Sequence, residues 1–349
     1  MPDDPDGRPT FADVLAARRT IAPYLQPTPV VTSPVLDRLL GCRAFVKCEN
    51  ANPTRTFKIR GGINLLANLS EEERRRGVIA SSTGNHGQSI AYASRLFGVR
   101  AIIGVPQQAN PVKLQAMRDL GGEVVEVGRD FDEAREWVER TATAEGYRYI
   151  HSANEPLLIA GVATASLELL ESVPDLDVVI VPVGGGSGAS GQCVAGKTVN
   201  PHLAVIGVQA AAAPAVARSW RERRFITDAM ATKAEGLQTR VPFTLTLGIL
   251  WDRLDDMTLV TDEEMEDAIR ILLDTTRQVA EHAGAAPVAA ARHLRDRIAG
   301  RKVGLVLSGA NITMDALREI LVRAAPAVPA GTPAPTQPRT KGAVIGDQA

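Results

Sequence analysis

The sequence predicts an α/β protein built on parallel sheets, and three observations carry that expectation. Short β-branched runs alternate with longer helical patterns along the chain. Several of those runs are almost continuously apolar, as strands covered by helices on both faces must be. The chain of 349 residues is also long enough for two cores, at roughly 100–200 residues per domain. In chain order, strands are expected at 77–81, 99–105, 123–127, 178–183, 203–208 and 303–307. Helices are expected at 111–120, 131–145 and 262–283, the last N-capped by Thr261 and opening on acidic residues that suit a helix N-terminus. Residues 69–76 (LSEEERRR) set Glu71 and Glu72 four residues before Arg75 and Arg76, the pattern of a solvated helix held by ion pairs. From about residue 325 the chain is rich in Pro, Ala and Gly, a composition that builds no core, so 325–349 reads as a disordered tail.

Composition narrows the function. Thirty-nine Lys+Arg against 40 Asp+Glu leave a formal charge of −1. With no long basic tract, neither nucleic acid nor an anionic membrane is the expected partner. No apolar run approaches the roughly 18 residues of a membrane helix. The N-terminus, MPDDPDGRPT, is acidic where a signal peptide is basic and then apolar, so the cytoplasm is the expected compartment. Cys42, Cys48 and Cys193 show no CxxC spacing, and the five histidines include no HExxH. No disulfide framework or zinc site is legible in that set.

Four segments carry chemistry. In 52–62, NPTRTFKIRGG, Lys58 stands behind the aromatic Phe57, beside Arg60 and close to a helix start. Desolvation and a neighbouring cation both favour the neutral amine, which is how imine-forming lysines are activated; taken alone, the segment reads as a surface lysine on an ordinary helix. In 81–88, SSTGNHGQ, hydroxyls and backbone N–H groups meet at a strand-to-helix turn that suits a carboxylate or phosphate. A plain N-cap would explain Ser82 or Thr83 but not the Asn85-His86 pair. In 181–191, VPVGGGSGASG, successive glycines after a strong strand let backbone N–H groups face a phosphate. Residues 186–191 also satisfy GxGxxG, but the next strand ends in Gln209, where a dinucleotide site wants an acid for the ribose. In 307–311, LSGAN, Ser308 closes an apolar strand at the end where α/β sheets gather ligands. Together they form an inventory for pyridoxal phosphate acting on an amino acid: an amine, a phosphate cradle, a carboxylate site and a neutral hydroxyl.

TFKIRGG, SSTGNHGQ, PVGGGSG and LSGAN resemble, in the same order, the S-F-K-x-R-G, S-x-G-N-H, glycine-loop and S-G-G-N segments of fold-type II pyridoxal phosphate enzymes. The likeness is to the threonine dehydratase and serine racemase group, with the tryptophan-synthase-β-like fold, and spans most of the chain from Phe11 to about Val322. The segments 109–121 and 151–169 are similar to this group as well. The resemblance implies a large cofactor-binding domain from 1–76 and 151–324, with a smaller mobile α/β domain inserted at 77–150. It implies that Lys58 carries pyridoxal 5'-phosphate as an aldimine and that Phe57 packs near the ring. Asn85 would meet the 3′ oxygen, and Gly184, Gly185, Gly186, Ser187 and Gly188 would wrap the phosphate. Ser308 would face the pyridine nitrogen, and Gly236 would line the cofactor's edge. Ser82, Thr83, Gly84 and His86 would hold the substrate carboxylate, with Thr83 a candidate catalytic hydroxyl.

The implied activity is dehydration and deamination of a β-hydroxy-L-amino acid such as threonine or serine to a 2-keto acid and ammonia, by a homodimer. Three alternatives accompany it: the same chemistry on a 3-phenylserine or 3-hydroxyaspartate type of substrate, amino-acid racemisation, and a non-catalytic nucleotide- or cofactor-binding protein. The sequence departs from the family pattern in places. Arg55 replaces a usual Gly, the loop reads GGGSG, and Thr83 stands where racemases place a catalytic Ser. Gln209, Ala210 and Ala213 stand where metal-dependent relatives place acids, so no divalent metal is expected there.

Overall fold

A computed structural model describes residues 7–323; the tail expected at 325–349 lies outside the described residues. Among the described residues ten strands form two sheets: β1 (Val30–Val31), β2 (Arg43–Cys48), β3 (Val78–Ser81), β4 (Ala101–Val105), β5 (Glu123–Glu126), β6 (Arg148–Tyr149), β7 (Val178–Pro182), β8 (Ala204–Ala210), β9 (Asp256–Val260) and β10 (Lys302–Leu307). The larger sheet has the order β1-β2-β10-β7-β8-β9, and the smaller β5-β4-β3-β6. Only the β1–β2 pair is antiparallel. The smaller sheet thus comes from one continuous stretch, while the larger is assembled from both ends of the chain.

The six strand expectations coincide with β3, β4, β5, β7, β8 and β10 to within three residues at either end. Their apolar continuity has the anticipated cause. In β7, Val178 and Ile180 enter one core while Val179 and Val181 enter the core on the opposite face, the period-two consequence of a strand covered on both sides. Strand β3 repeats this, with Val78 and Ala80 on one face and Ile79 on the other.

The helices that position the site are α1 (Lys58–Ala67), α2 (Asn85–Leu96), α3 (Pro111–Asp119), α4 (Phe131–Glu145), α5 (Pro156–Ser172), α6 (Ser187–Gly191), α7 (Asp262–Thr276) and α8 (His282–His293). Helix α5 joins the two halves: Ile159, Ala163 and Leu167 pack in the core of the larger sheet, Leu158 and Ala160 in that of the smaller. Helix α1 crosses it at glycines. A Cβ on Gly161 would stand 2.6 Å from the Arg60 carbonyl, and one on Gly61 would stand 2.9 Å from that of Leu158. Gly62 makes the same approach to α2, where a Cβ would meet the Ser89 hydroxyl at 2.3 Å. The Gly pair after Lys58 therefore lets α1 lie against two helices at once.

One expectation is corrected. The pattern over 262–283 reads as a single helix, but α7 ends at Thr276 and α8 starts at His282. Arg277 takes a left-handed conformation (φ 59°) and closes α7 with its N–H on the Leu273 carbonyl. The opening of α7 is as expected, with Thr261 and Glu264 capping reciprocally. Of the two ion pairs anticipated in 69–76, Glu72–Arg76 forms at 2.5 Å. Among the described residues no helix is long and apolar enough to cross a membrane.

Candidate active site

A cleft of about 250 Å³ opens at the C-terminal ends of β3, β7 and β10, where ligands of open α/β sheets collect. Every site residue expected from the sequence lies on its wall: Phe57, Lys58, Ser82, Thr83, Gly84, Asn85, His86, Gly184, Gly185, Gly186, Ser187, Gly188, Gly236 and Ser308. The four segments are far apart in the chain, and the sheet ends bring them together.

Lys58 is the first residue of α1, and its segment is tied to the end of β10. The Phe57 N–H donates to the Ser308 carbonyl at 3.0 Å, and the Thr56 hydroxyl donates to the same oxygen at 3.2 Å. The Lys58 amine donates to the Ser152 carbonyl at 3.0 Å and the Ser187 hydroxyl at 3.1 Å. Among the described residues no carboxylate pairs with it, and burial lowers its pKa to about 8. The expectation that Arg60 would assist is corrected. Its guanidinium turns away into a buried cage, bonded to Glu49 at 2.7 and 2.9 Å and to Glu168 at 2.6 and 2.8 Å. Lys47, itself fully buried, donates to Glu168 at 2.5 Å. Desolvation alone tunes Lys58.

The glycine loop follows β7 and leads into α6. Gly186, with φ 92°, is the N-cap of α6 and offers no side-chain cap. The first N–H groups of the helix are left for a ligand, an arrangement suited to an anion. Past α6 the helix widens into a π turn over Gln192–Gly196. The loop has no room for side chains: a Cβ on Gly184 would stand 2.1 Å from the Gly236 carbonyl oxygen. Thr246 steadies the loop by donating its hydroxyl to the Gly185 carbonyl at 2.7 Å.

On the facing wall, the Ser82 hydroxyl oxygen accepts from the backbone N–H groups of Gly84 (3.2 Å) and Gly87 (2.9 Å). Gly84 caps α2 without a side chain. His86 is buried, and its Nε2 lies 3.4 Å from the Ile150 carbonyl. Burial, then the nearby Lys58 charge, pushes its pKa down to about 3, so the ring is neutral at any working pH. Ser308 is buried at the end of β10, and no described side chain engages its hydroxyl.

Lys197 pairs with Asp255 at 2.7 Å and takes no part in the cleft wall. Gln209 is buried, its side-chain oxygen accepting from the Ala217 N–H at 2.8 Å. Arg55 is exposed with φ 59°, holding a left-handed turn that favours glycine.

Sequence reasoning missed several residues in the cleft or directly behind its wall. Lys113 of α3 pairs with Glu235 across the cleft; the segment 109–121 resembles the family, but no local pattern marks this lysine. Asn311 ends the LSGAN segment and donates to the Asn85 side-chain oxygen at 2.6 Å. Glu281 was hidden inside the pattern read as one long helix. Its Oε1 accepts from the Asn85 Nδ2 at 2.7 Å, and burial raises its pKa against the lowering effect of that bond.

The residues fit a phosphorylated pyridine aldehyde. An unpaired amine stands beside an uncapped helix N-terminus, and an open hydroxyl and a carboxamide line the same cleft. Lys58, the 184–188 loop, Asn85 and Ser308 are the groups that would hold it. Comparison with known proteins agrees. A family model described as "Pyridoxal-phosphate dependent enzyme" matches residues 21–309. The chain is 41% identical over 313 residues to an L-threonine ammonia-lyase of Thermotoga maritima, covering 89% of this chain and 78% of that one. It is 35% identical to the L-threo-3-hydroxyaspartate ammonia-lyase of Saccharomyces cerevisiae, covering 88% and 94%. The crystal structure of serine racemase from Dictyostelium discoideum superposes with a TM-score of 0.83 at 33% identity, covering 88% and 99%. With its lysine, glycine loop and serine converging on one cleft and its family model spanning most of the chain, this protein belongs to the pyridoxal-phosphate-dependent enzymes of fold type II.

Proposed function

We propose that this protein is an ammonia-lyase that converts a small β-hydroxy-L-amino acid, threonine or serine, into a 2-keto acid and ammonia. The observation that carries the reading is the Lys58 amine, free of any carboxylate and 3.1 Å from Ser187 at the head of the glycine loop. Relatives that act as ammonia-lyases on threonine and 3-hydroxyaspartate support it.

When bound, the cofactor supplies an electron sink that makes the substrate's α-hydrogen acidic. The protein does the rest. The N–H groups at the start of α2 receive the substrate carboxylate, with Ser82 shaping the turn. The Lys58 amine takes the α-proton at Nζ; a pKa of about 8 leaves an appreciable neutral fraction near neutral pH. Ser308 offers a hydroxyl at the far end of the site and cannot protonate a ring nitrogen as a carboxylic acid would. Neutral His86 adds no charge that would compete for the carboxylate. Closure of the smaller sheet over the larger would exclude water from the cleft. We place the enzyme in the cytoplasm as a homodimer, on the family resemblance and on three buried, free cysteines.

A second reading is the same chemistry on a 3-phenylserine type of substrate. It is favoured by Phe131, Met230 and Phe243 on the cleft wall, which offer an apolar seat for an aromatic β-substituent. The test is the visible spectrum of cofactor-loaded protein with threonine, serine, 3-phenylserine and 3-hydroxyaspartate, keto acid and D-amino acid being assayed together because Thr83 lines the same cleft. The spectrum should change with one substrate as its keto acid accumulates, and Lys58→Ala should abolish both. Keto-acid formation by Lys58→Ala would overturn the reading.

A further inference from the structure

A carboxamide offers a donor edge and an acceptor edge of nearly the same shape, and which one faces a ligand depends on what holds the other atoms. The hydrogen bonds around Asn85 settle this from both sides. Asn311 donates from its Nδ2 to the Thr54 carbonyl at 3.0 Å. A carbonyl can only accept, so the Asn311 amide cannot be reversed. Its remaining N–H donates to Asn85 at 2.6 Å, and the Asn85 atom there must be Oδ1. On the other side, Glu281 accepts from the Asn85 Nδ2 at 2.7 Å. Glu281 is itself fastened to the loop after β10. Its Oε2 accepts from the Asn311 backbone N–H at 3.1 Å, and its own N–H donates to the Gly309 carbonyl at 3.0 Å. A Cβ on Gly309 would stand 2.8 Å from the Glu281 carboxylate, so the LSGAN turn leaves a slot for this side chain.

We propose that Glu281 and Asn311 are positioning residues that lock the Asn85 carboxamide so that its one uncommitted N–H, and not its oxygen, faces the bound cofactor. The inference rests on the reading that Asn85 contacts an anionic oxygen of that cofactor. It gives the break between α7 and α8 a function, since a continuous helix would not fold Glu281 back against Gly309. It also explains why a buried acid belongs in this cleft: one of its oxygens orients Asn85 and the other holds the turn that carries Asn311.

The experiment measures the affinity of the cofactor-free protein for pyridoxal phosphate and the visible absorption of the loaded protein. Wild type is compared with Asn85→Ala, Glu281→Ala, Glu281→Gln and Asn311→Asp, and the cofactor-free melting temperatures are recorded for each. Asn311→Asp preserves shape but faces the Asn85 oxygen with another acceptor, so it should weaken cofactor binding about tenfold and shift the absorption band, as should Asn85→Ala. Glu281→Ala should do the same. Glu281→Gln keeps one acceptor oxygen, enough for Asn85, but turns an amide donor toward the Asn311 backbone N–H, so it should weaken binding by less than Glu281→Ala does. If Asn85→Ala weakens binding while both Asn311→Asp and Glu281→Ala match wild type, the lock is refuted and the role of Asn85 stands. If Asn85→Ala itself changes neither affinity nor spectrum, the underlying reading fails and the inference with it. Should Glu281→Ala prove unstable, Asn311→Asp decides the matter alone.

Discussion

Lys58 should behave as a free amine far below the pH at which surface lysines do. Among the described residues its nitrogen has two neutral oxygen partners, the Ser152 carbonyl and the Ser187 hydroxyl, and no anion. Burial therefore acts without opposition and brings the pKa to about 8 from 10.5. At pH 8 about half of the Lys58 amines are neutral, against roughly 0.3% of ordinary lysines, an advantage of about 150-fold in reactive species. The assay is reductive methylation of the cofactor-free protein from pH 6 to pH 11, with mass spectrometry reading the Lys58 peptide against those of exposed lysines. The Lys58 rate should reach half its plateau near pH 8, and Ser187→Ala should lower that midpoint by removing a partner of the charged form. A Lys58 profile that overlays the surface lysines near pH 10.5 would refute the argument. The sign of the linked stability effect follows. Between pH 8 and 10.5 the unfolded chain binds a proton at this site that the folded chain has released, so stability rises with pH across that window. Below pH 8 both states are protonated and the burial cost is present in full.

Two further outcomes are expected. Arg55→Gly relieves a left-handed arginine at an exposed turn. Offset by the greater freedom of glycine in the unfolded chain, it should stabilise the protein by about 0.5–1 kcal/mol, a rise of roughly 1 °C in a calorimetric melt; a fall would show that the side chain makes a stabilising contact. Glu235→Gln breaks the pair with Lys113. Because Glu235 is about half exposed, the loss should be under about 1 kcal/mol in denaturant unfolding, while the unmatched Lys113 charge lowers the KM for 3-hydroxyaspartate relative to threonine. Unchanged selectivity would mean that Lys113 lies beyond the reach of the substrate.

Five of the six legible strands, β3, β4, β7, β8 and β10, are buried on both faces, and apolar continuity needs no knowledge of the neighbours; edge strand β5 is the exception, with Glu123 and Glu126 exposed. Strand β2 escaped notice for a physical reason. Its RAFVKC sequence carries Lys47, which reads as solvent-facing, yet the amine is satisfied inside by Glu168 and the Thr28 carbonyl. Edge strand β9 opens on Asp256, which pairs with Arg297 at 2.6 Å. The same blindness to distant partners explains the site. Lys58, the glycine loop and Asn85 stand in local patterns that announce their chemistry. Glu281 stands in an ordinary helical pattern, and only the tertiary closeness of Gly309 shows where its carboxylate goes. Arg60 is the converse: adjacent to Lys58 in sequence, it is removed from it electrostatically by Glu49 and Glu168.

The order of strands in the larger sheet has a consequence for how the molecule is made. Strand β10 lies between β2 and β7 and pairs in register with β2, Lys302 beside Arg43. As the chain leaves the ribosome, the smaller sheet is complete once Tyr149 has emerged, whereas β2 then has its short antiparallel neighbour β1 but an open parallel edge. That edge is filled only once residues 302–307 have been synthesised. A nascent chain stopped before Lys302 would present two unpaired strand edges, a template for association with other chains. It would also lack Ser308 and Asn311, so the cleft has all its walls only once the last strand is in place.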